Sequence, residues 1–326
     1  MGTSSSIPES IAIRLIADKP VRKTPYQVKG VFMKQFSEEK VVPFLDGKLR
    51  NKYLYPRVQV KILNEHIYIV GIKEGVEPVM SLVDNVKSFN FGNITIHINK
   101  YEVEENFDQF KVTEKLLKYK FVTPWIALNN STGGKYRFLS GQEKPRFLNK
   151  LLGQNLLFIA KELGEEIKTK IYTKVTVDND SPEKIDDNGW GAFAGEFKTN
   201  FILPSYIGLG NGITRGYGTL FSLNNPQSLI EENSKEKTDD YLEEEIREED
   251  ELMTFVTIDD VPIINKRKKY KKRKNNYRKN RKNKTKNLSG SRYGKQKNQP
   301  QNKKYNDIDD ESRFNSEEYH KKQHDL

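Results

Sequence analysis

The chain of 326 residues contains no cysteine and only four histidines. The lack of cysteine excludes disulfides, thiolate catalysis, cysteine-ligated zinc and iron–sulfur clusters. No apolar run reaches the roughly 18 residues of a membrane-spanning helix. No charged start is followed by an apolar segment, so we expect no export through a signal peptide and a cytoplasmic location. So few histidines also predict that no metal is bound.

Hydrophobic residues are scarce, at 35%, against roughly 45–50% in a typical globular domain. The deficit lies in the last hundred residues. Residues 231–251 hold 12 acidic and 3 basic side chains, and residues 266–304 hold 19 Lys or Arg and no acid. Segments of like charge cannot bury enough apolar surface to offset the entropy lost on folding. We therefore predict a disordered, acidic-then-basic tail over residues 226–326.

The basic run at 266–304 is typical of a nucleic-acid-binding arm, because each Lys or Arg near a phosphate releases counterions whatever the sequence. The alternative is a solvated tail that the acidic residues neutralise within the same chain. Between the two charged blocks, residues 255–258 (FVTI) form a short apolar run. This run docks either on the folded core or on a partner, and the sequence leaves both alternatives open.

Nearly all apolar periodicity lies before residue 226. It predicts a strand at 11–17, a helix from Thr24-Pro25 to about residue 36 and a helix at 78–87. It also predicts strands at 55–63 and 66–72, joined by a tight hairpin at Asn64-Glu65, and at 94–102. This β-α-β-β-α-β order is the ferredoxin-like arrangement.

The same order then begins again. Residues 109–118 and 120–128 are expected to be extended, 140–163 helical, and 167–177, 192–203 and 216–223 to be strands. The sequence thus predicts an α+β fold with two tandem ferredoxin-like (RRM-like) domains, at 7–105 and 106–225. Trp125 and Trp190 are expected to anchor the core of the second domain.

A glycine-rich segment near the end of the second domain is the strongest local signal, with five glycines among residues 208–218. Such density lets backbone amides approach a phosphate without obstruction by β-carbons. Arg215 adds a forked cation for the same target. The segment is neither a Walker A loop nor a dinucleotide fingerprint, since Ile213 stands at the third glycine position. The alternative is an ordinary flexible loop between strands.

Six stretches, in this order, resemble the CRISPR repeat-processing endoribonucleases (the "Cas six" family) of the RAMP superfamily. They are residues 55–61 (YPRVQVK), 69–75 (IVGIKEG), 123–129 (TPWIALN), 151–157 (LLGQNLL), 195–204 (GEFKTNFILP) and 208–218 (GLGNGITRGYG). The resemblance covers about residues 7–223. It implies tandem ferredoxin-like domains, which agrees with the periodicity.

The resemblance also implies an activity: binding the repeat of precursor CRISPR RNA and cutting it once for antiviral defence. The ribose 2′-OH is the nucleophile, the products carry a 2′,3′-cyclic phosphate and a 5′-OH, and no cofactor is required. The implied RNA contacts lie mostly in the glycine-rich segment. They are Gly208, Gly210, Asn211, Gly212, Thr214, Arg215 and Gly216, with Arg50 and Arg57.

Many members of this family have a histidine in the loop between the first helix and the second strand, but residues 41–56 contain none. Two hypotheses remain. In one, Lys48, Arg50 and Lys52, with Tyr53 or Tyr26, hold the RNA and stabilise charge, and crowding of cations lowers a lysine pKa enough for proton transfer. In the other, the protein is a repeat-binding subunit with little or no cleavage.

The sequence leaves further points open. The face of the second strand that carries Arg57, Gln59 and Lys61 is either solvated or directed at RNA. Partners implied by the resemblance are the precursor repeat RNA and subunits of a CRISPR effector complex, with the protein a monomer or homodimer. A general RNA chaperone governed by the basic tail is the third functional hypothesis.

Overall fold

The structure is a computed structural model, and it describes residues 7–83, 85–185, 191–224 and 253–260. Within these ranges, no helix combines the length and apolar character needed to cross a lipid bilayer. Trp190 lies outside the described residues, as does most of the tail that the sequence predicts to be disordered.

The first domain contains five strands and three helices. These are β1 (Ser10–Ala17), α1 (Pro25–Gln35), α2 (Val42–Leu45), β2 (Val58–Leu63), β3 (His66–Ile72), α3 (Val76–Met80), β4 (Ser88–Asn90) and β5 (Thr95–Asn106). The strands form one antiparallel sheet in the order β2-β3-β1-β5-β4. The predicted ferredoxin-like order is confirmed. The second helix lies at Val76–Met80 rather than at the predicted 78–87.

Local chemistry explains the best-predicted elements. The Thr24 hydroxyl accepts a hydrogen bond from Gln27 N at 3.2 Å, and Gln27 Oε1 accepts one from Thr24 N at 2.9 Å. This capping box, followed by Pro25, fixes the start of α1. In the β2–β3 hairpin, Asn64 and Glu65 both have positive φ, at 48° and 61°, as a type I′ turn requires.

The second domain repeats the pattern with additions. Its elements are β6 (Val112–Phe121), β7 (Trp125–Leu128), α4 (Asn130–Arg137), α5 (Glu143–Leu163), β8 (Ile171–Val177), β9 (Glu183–Lys184), β10 (Gly191–Phe193), β11 (Gly195–Phe201), β12 (Leu220–Ser222) and β13 (Thr254–Val256). The main sheet has the order β12-β6-β11-β8-β13, and β7, β10 and β9 form a small second sheet. α5 buries its apolar face against the main sheet.

Three features of this domain differ from the simple ferredoxin-like arrangement. The strand predicted at 192–203 is two strands, because the chain bends at Gly195, whose φ is 146° and whose missing β-carbon would lie 2.2 Å from Thr176 O. Helix α4 was not predicted, although Asn129 caps it in a box with Thr132. The glycine-rich segment fills the second crossover, between β11 and β12, where a ferredoxin-like unit normally has a helix.

The two domains share apolar surface. Ala12, Val70 and Ile72, on the open face of the first sheet, belong to the same buried cluster as the second domain's core. Trp125 is fully buried in that cluster and stacks on Phe121, with ring centroids 5.4 Å apart and planes 4° apart. The expected core role of Trp125 is therefore confirmed.

The apolar run of the tail docks on the core, which decides between the two alternatives left by the sequence. β13 pairs antiparallel with β8, and Val256 is fully buried. A β-carbon at Gly153 of α5 would lie 2.6 Å from a Val256 methyl group, so this glycine makes room for the strand. Asp260 forms an ion pair with Lys150 at 3.1 Å. Residues 253–260 are thus an integral edge of the second domain.

We predict that Val256→Ala lowers the free energy of unfolding by about 2 kcal/mol, because it removes two buried methyl groups from a well-packed site. Denaturant unfolding of the full chain measures this change. Ile258→Ala, in the same segment but 60% exposed, is the matched control and should change stability by less than about 0.5 kcal/mol. Equal effects of the two substitutions would show that β13 does not dock.

Candidate nucleic-acid interface at the glycine-rich segment

Strand β2 and the residue before it present a polar stripe to the second domain. We call its residues, Arg57, Gln59 and Lys61, the β2 stripe. Because side chains alternate along a strand, Val58 and Val60 enter the first core while Arg57, Gln59 and Lys61 point the other way. These three are 4%, 1% and 0% exposed. Both sequence-based interpretations of this face, solvated or directed at RNA, are wrong, because the second domain covers it.

The stripe holds the backbone of the glycine-rich segment. Gly208 N donates to Gln59 Oε1 at 2.9 Å, and the Tyr55 hydroxyl donates to Gly208 O at 3.0 Å. Lys61 Nζ donates to Ile213 O at 3.3 Å. Lys29, one turn into α1, donates from Nζ to Thr214 O at 2.7 Å. The segment is therefore tied to the first domain through main-chain atoms rather than left as a free loop.

Glycine is required where the segment touches the first domain and folds on itself. Gly216 has φ 96°, and its missing β-carbon would lie 2.9 Å from Pro25 Cγ at the start of α1. Gly218 has φ 64°, and a β-carbon there would lie 2.0 Å from Leu209 O. Both positions combine left-handed backbone with close contact, which only glycine accommodates.

Several backbone amides expected to meet a phosphate already have protein acceptors. Asn211 N donates to Ile126 O at 3.0 Å, Arg215 N to Gly212 O at 2.9 Å and Gly216 N to Ile213 O at 3.0 Å. With both polar groups of Gly208 also bonded, that residue is an interdomain contact, which corrects its expected role at RNA. The close packing of the glycines thus serves mainly to join the two domains.

Lys29 is a functional candidate that the sequence analysis missed, and Lys61 was named there only as part of the polar face of the second strand. Burial lowers the pKa of Lys29 to about 8. Burial, and then the nearby charge of Lys29, lower the pKa of Lys61 to about 7. The sequence alone could not indicate that these lysines are buried, because neither residue spacing nor composition identifies a lysine that another domain covers.

Three predicted site residues gather around this lysine pair. The Lys29 amine lies 5.6 Å from the centre of the Tyr26 ring. Thr214 supplies the carbonyl that holds Lys29, and Arg215 follows it, with its guanidinium 5.4 Å from the Tyr217 ring centre. Tyr26, Thr214 and Arg215 are thus brought together between α1 and the glycine-rich segment.

The loop residues predicted to act in catalysis form a second group. Tyr53 stacks on Phe44 of α2, with ring centroids 5.9 Å apart. The Lys52 amine lies 4.9 Å from the Tyr53 ring centre and the Arg57 guanidinium 4.8 Å from it. Lys48 forms an ion pair with Asp46 at 3.0 Å, and Arg50 is exposed.

Two expectations for this group are corrected. A hydrogen bond to Tyr53 raises the pKa of Lys52, so the lowering by crowded cations that was expected does not occur at this residue. Arg57 was expected to contact RNA, but its guanidinium is buried and donates to Glu74 at 2.7 Å, to Tyr55 O at 3.1 Å and to Glu162 O. It is an interdomain tie.

The two groups lie at opposite ends of the β2 stripe. The Tyr53 ring lies beside the Arg57 guanidinium. Tyr26 and Lys29 lie at the other end of the stripe, near Lys61. Arg57 and Lys61 are four positions apart along an extended chain, which corresponds to about 13 Å. Tyr26 therefore does not lie beside Lys52 and Tyr53. The two lysines whose pKa is lowered lie at the Lys61 end of the stripe, next to the glycine-rich segment.

Both halves of the chain match models of one protein family. The Cas6b N-terminal domain matches residues 9–109, and the Cas6b C-terminal domain matches residues 111–223. The chain belongs to the Cas6 family.

One curated relative and two solved structures are similar to the chain. An uncharacterized protein of Methanocaldococcus jannaschii is 32% identical over 140 residues, which are 43% of this chain and 95% of that protein. A crystal structure of Cas6b is 29% identical with a TM-score of 0.55, and covers 66% of this chain and 98% of that chain. A crystal structure of the CRISPR RNA processing endoribonuclease Cas6b is 26% identical with a TM-score of 0.49, with the same coverage.

The family resemblance drawn from six sequence stretches is thus confirmed, as is the fold of two ferredoxin-like domains. Membership of the Cas6 family supports an endoribonuclease that acts in CRISPR RNA processing.

The buried amine of Lys61 makes stability depend on pH in a predictable direction. Below its lowered pKa of about 7, the folded protein carries a buried ammonium, which costs stability. As the pH rises from 7 toward the ordinary lysine value, the folded protein releases this proton while the unfolded chain retains it. The free energy of unfolding therefore rises over that interval.

We predict that Lys61→Met removes this rise. Chemical unfolding of both proteins between pH 7 and the ordinary lysine pKa measures it, and groups that do not interact with Lys61 cancel in the difference. A wild-type minus variant difference that stays constant over the interval would contradict the burial of a titrating amine at this position.

Proposed function

We propose that the protein cuts the repeat of precursor CRISPR RNA by a metal-independent transesterification and so matures guide RNA for antiviral defence. The ribose 2′-oxygen bonds to phosphorus, the bond from phosphorus to the 5′-oxygen breaks, and the products carry a 2′,3′-cyclic phosphate and a 5′-OH. The observation that carries the proposal is the Lys29 amine with its lowered pKa, held beside Tyr26 and the glycine-rich segment.

This reaction needs a base for the 2′-OH proton, an acid for the leaving 5′-oxygen and cations for the charge on the phosphorane. A proton-transfer group works best when its pKa lies near the working pH. With a pKa of about 8, Lys29 has a substantial neutral fraction under physiological conditions. An ordinary exposed lysine has almost none.

Each requirement has a candidate at the lysine pair. The neutral Lys29 amine takes the proton from the 2′-OH, and its bond to Thr214 O fixes its orientation. The Tyr26 hydroxyl gives a proton to the leaving 5′-oxygen. The Arg215 guanidinium stabilises the phosphorane, and Lys61 stays beneath the segment as a positioning residue.

The exposed loop has a separate role in this proposal. Lys48, Arg50 and Lys52 hold the RNA backbone at the other end of the β2 stripe, since their side chains are exposed to solvent. The amides of Gly210, Gly212 and Thr214, which have no acceptor among the described residues, add neutral donors for phosphate oxygens. Gly216 and Asn211 shape the segment rather than donate.

One specific observation favours a second candidate function. Because residues 41–56 contain no histidine, the chain also fits a repeat-binding subunit of a CRISPR effector complex that cuts little. In either case the protein acts in the cytoplasm, where the precursor is transcribed.

We expect full-length protein to release a 2′,3′-cyclic phosphate product from labelled repeat RNA in the presence of EDTA. Lys29→Gln should slow single-turnover cleavage by about 100-fold or more, the usual contribution of a proton-transfer group, with little change in RNA affinity. The wild-type rate should rise with pH up to about the Lys29 pKa and then level off.

Lys34→Gln is the matched control, since Lys34 is exposed on the same helix. Tight binding without any cyclic phosphate product would favour the subunit over the enzyme. An unchanged rate in Lys29→Gln, with cleavage intact, would remove Lys29 from the reaction.

The tail-governed chaperone is tested with a chain that ends at Asn265. This end point keeps β13 and removes the basic run. Repeat binding that survives at moderate salt makes the basic run an accessory, whereas loss of all binding would favour the chaperone.

A further inference from the structure

The connection between α4 and α5 displays an aromatic side chain to solvent. Phe138, the residue directly after α4, is 87% exposed. Single apolar residues are common on protein surfaces, so exposure alone carries no function. Phe138 is set apart by two features of its surroundings: the chain beside it is anchored, and the side chains beside it are cations.

Residues on both sides of Phe138 anchor the chain to the second domain. Tyr136 is buried, with its ring 5.5 Å from that of Phe193, and its hydroxyl donates to Asp180 O at 2.8 Å. Leu139 packs against the core of the domain. The Phe138 ring is therefore held out from a fixed backbone rather than from a loose loop.

Basic side chains lie before and after Phe138 in the chain. They occupy the last turn of α4 and the first turn of α5, and they are Lys135, Arg137, Lys144 and Arg146. Residues 129–146 contain one acid, Glu143, so this stretch has a formal charge of +3. We call Phe138 and the four basic residues the Phe138 tip.

The one acid is committed to the start of α5. The Glu143 carboxylate accepts hydrogen bonds from Ser140 N at 2.9 Å and from Ser140 Oγ at 2.8 Å, and these bonds lower its pKa. Lys135, Arg137 and Arg146 are exposed. The net positive charge of the Phe138 tip therefore faces solvent.

An aromatic ring among cations suits an unpaired stretch of nucleic acid. Every base has a flat π-face that can stack on an aromatic ring, and this stacking tolerates any sequence. The phosphates on either side of the base attract Lys and Arg. Base-paired RNA is a poor match, because its bases already stack within the helix. Charge and ring together thus favour a single strand.

Strand β7 connects the Phe138 tip to the glycine-rich segment. Asn211 N and Nδ2 both donate to Ile126 O of β7, at 3.0 and 3.2 Å. Helix α4 begins after Asn129, three residues further along the chain. Three extended residues and one helix of this length span at most about 25 Å from Ile126 to Phe138. A single RNA molecule can therefore contact both places.

We propose that the Phe138 tip binds single-stranded RNA, with one base stacked on the Phe138 ring and the adjacent phosphates bound by Lys135, Arg137 and Arg146. The RNA is the molecule whose repeat is held at the glycine-rich segment, so its identity rests on the proposed function. The tip contributes affinity for unpaired nucleotides away from the bond that is cut, and no group for the reaction itself.

Equilibrium binding of the full chain to labelled repeat RNA with an unpaired flank tests the proposal. Phe138→Ala should weaken binding by roughly 5- to 150-fold, the usual contribution of one stacked base. Phe138→Trp should retain the affinity, because it keeps a flat aromatic face. Phe138→Leu should lose it, because it keeps only apolar surface. Fully paired RNA should bind the wild type and Phe138→Ala equally.

Phe107→Ala is the matched control. Phe107 is 40% exposed, but its neighbours in the chain include the acids Glu105 and Asp108, so RNA affinity should not change. All variants keep the basic run, whose contribution to binding is common to them. Replacing Lys135 and Arg137 together by Gln should reduce the logarithmic salt dependence by about 1.4, at roughly 0.7 per phosphate contact.

Photo-cross-linking locates the stacked base. Repeat RNA that carries 5-iodouridine at each position of the unpaired flank in turn should cross-link to the peptide that begins at Phe138, and Phe138→Leu should remove this cross-link. Equal affinity of the wild type and Phe138→Ala for RNA with the unpaired flank would overturn the proposal. Cross-links confined to other peptides would also overturn it, and the tip would then suit a protein partner.

These assays measure binding and not cleavage. Failure of the wild-type protein to cut the repeat would contradict the proposed function, but it would leave the result for the Phe138 tip unchanged. Conversely, loss of the Phe138 effect would leave the reaction proposed for Lys29 intact.

Discussion

The structure depends on the contact between the β2 stripe and the backbone of the glycine-rich segment. Two ferredoxin-like domains in tandem have no fixed relation unless something joins them. Here Gln59, Lys61 and Lys29 bind main-chain groups of Gly208, Ile213 and Thr214. Because the partners are main-chain groups, these contacts do not depend on which side chains the segment carries. They do depend on its glycines, which permit the close approach of the two backbones.

This joint has an electrostatic cost, which lowers the pKa values of two lysines. Burying lysine amines beside carbonyl groups disfavours their charged forms and brings their pKa values toward neutrality. The carbonyls satisfy the ammonium hydrogens without supplying a full negative charge. A carboxylate partner would instead have held these lysines protonated. The same interactions thus link the domains and, in the reaction proposed above, supply the amine that accepts the proton.

The sequence predicts the elements whose causes are local. The capping box at Thr24, the tight hairpin at Asn64-Glu65 and the apolar stripe of α5 each specify structure within a few residues. The features that the sequence could not predict depend on contacts with the other domain. Arg57 and Lys61 are ordinary polar residues of an alternating strand, and only the docked second domain makes one an interdomain tie and the other a buried amine. β13 was likewise undecidable, because its partner strand lies about 80 residues away in the chain.

The central claim is that the glycine-rich segment packs closely on the first domain through its glycines. A β-carbon added at Gly208 would lie 2.8 Å from Lys61 Nζ and 3.2 Å from Gln59 Oε1. The account predicts that Gly208→Ala lowers the free energy of unfolding by about 1–3 kcal/mol. Gly141→Ala is the matched control, because an added β-carbon there meets nothing within 4 Å. Denaturant unfolding of both variants measures the difference, and equal stability of the two would contradict the account.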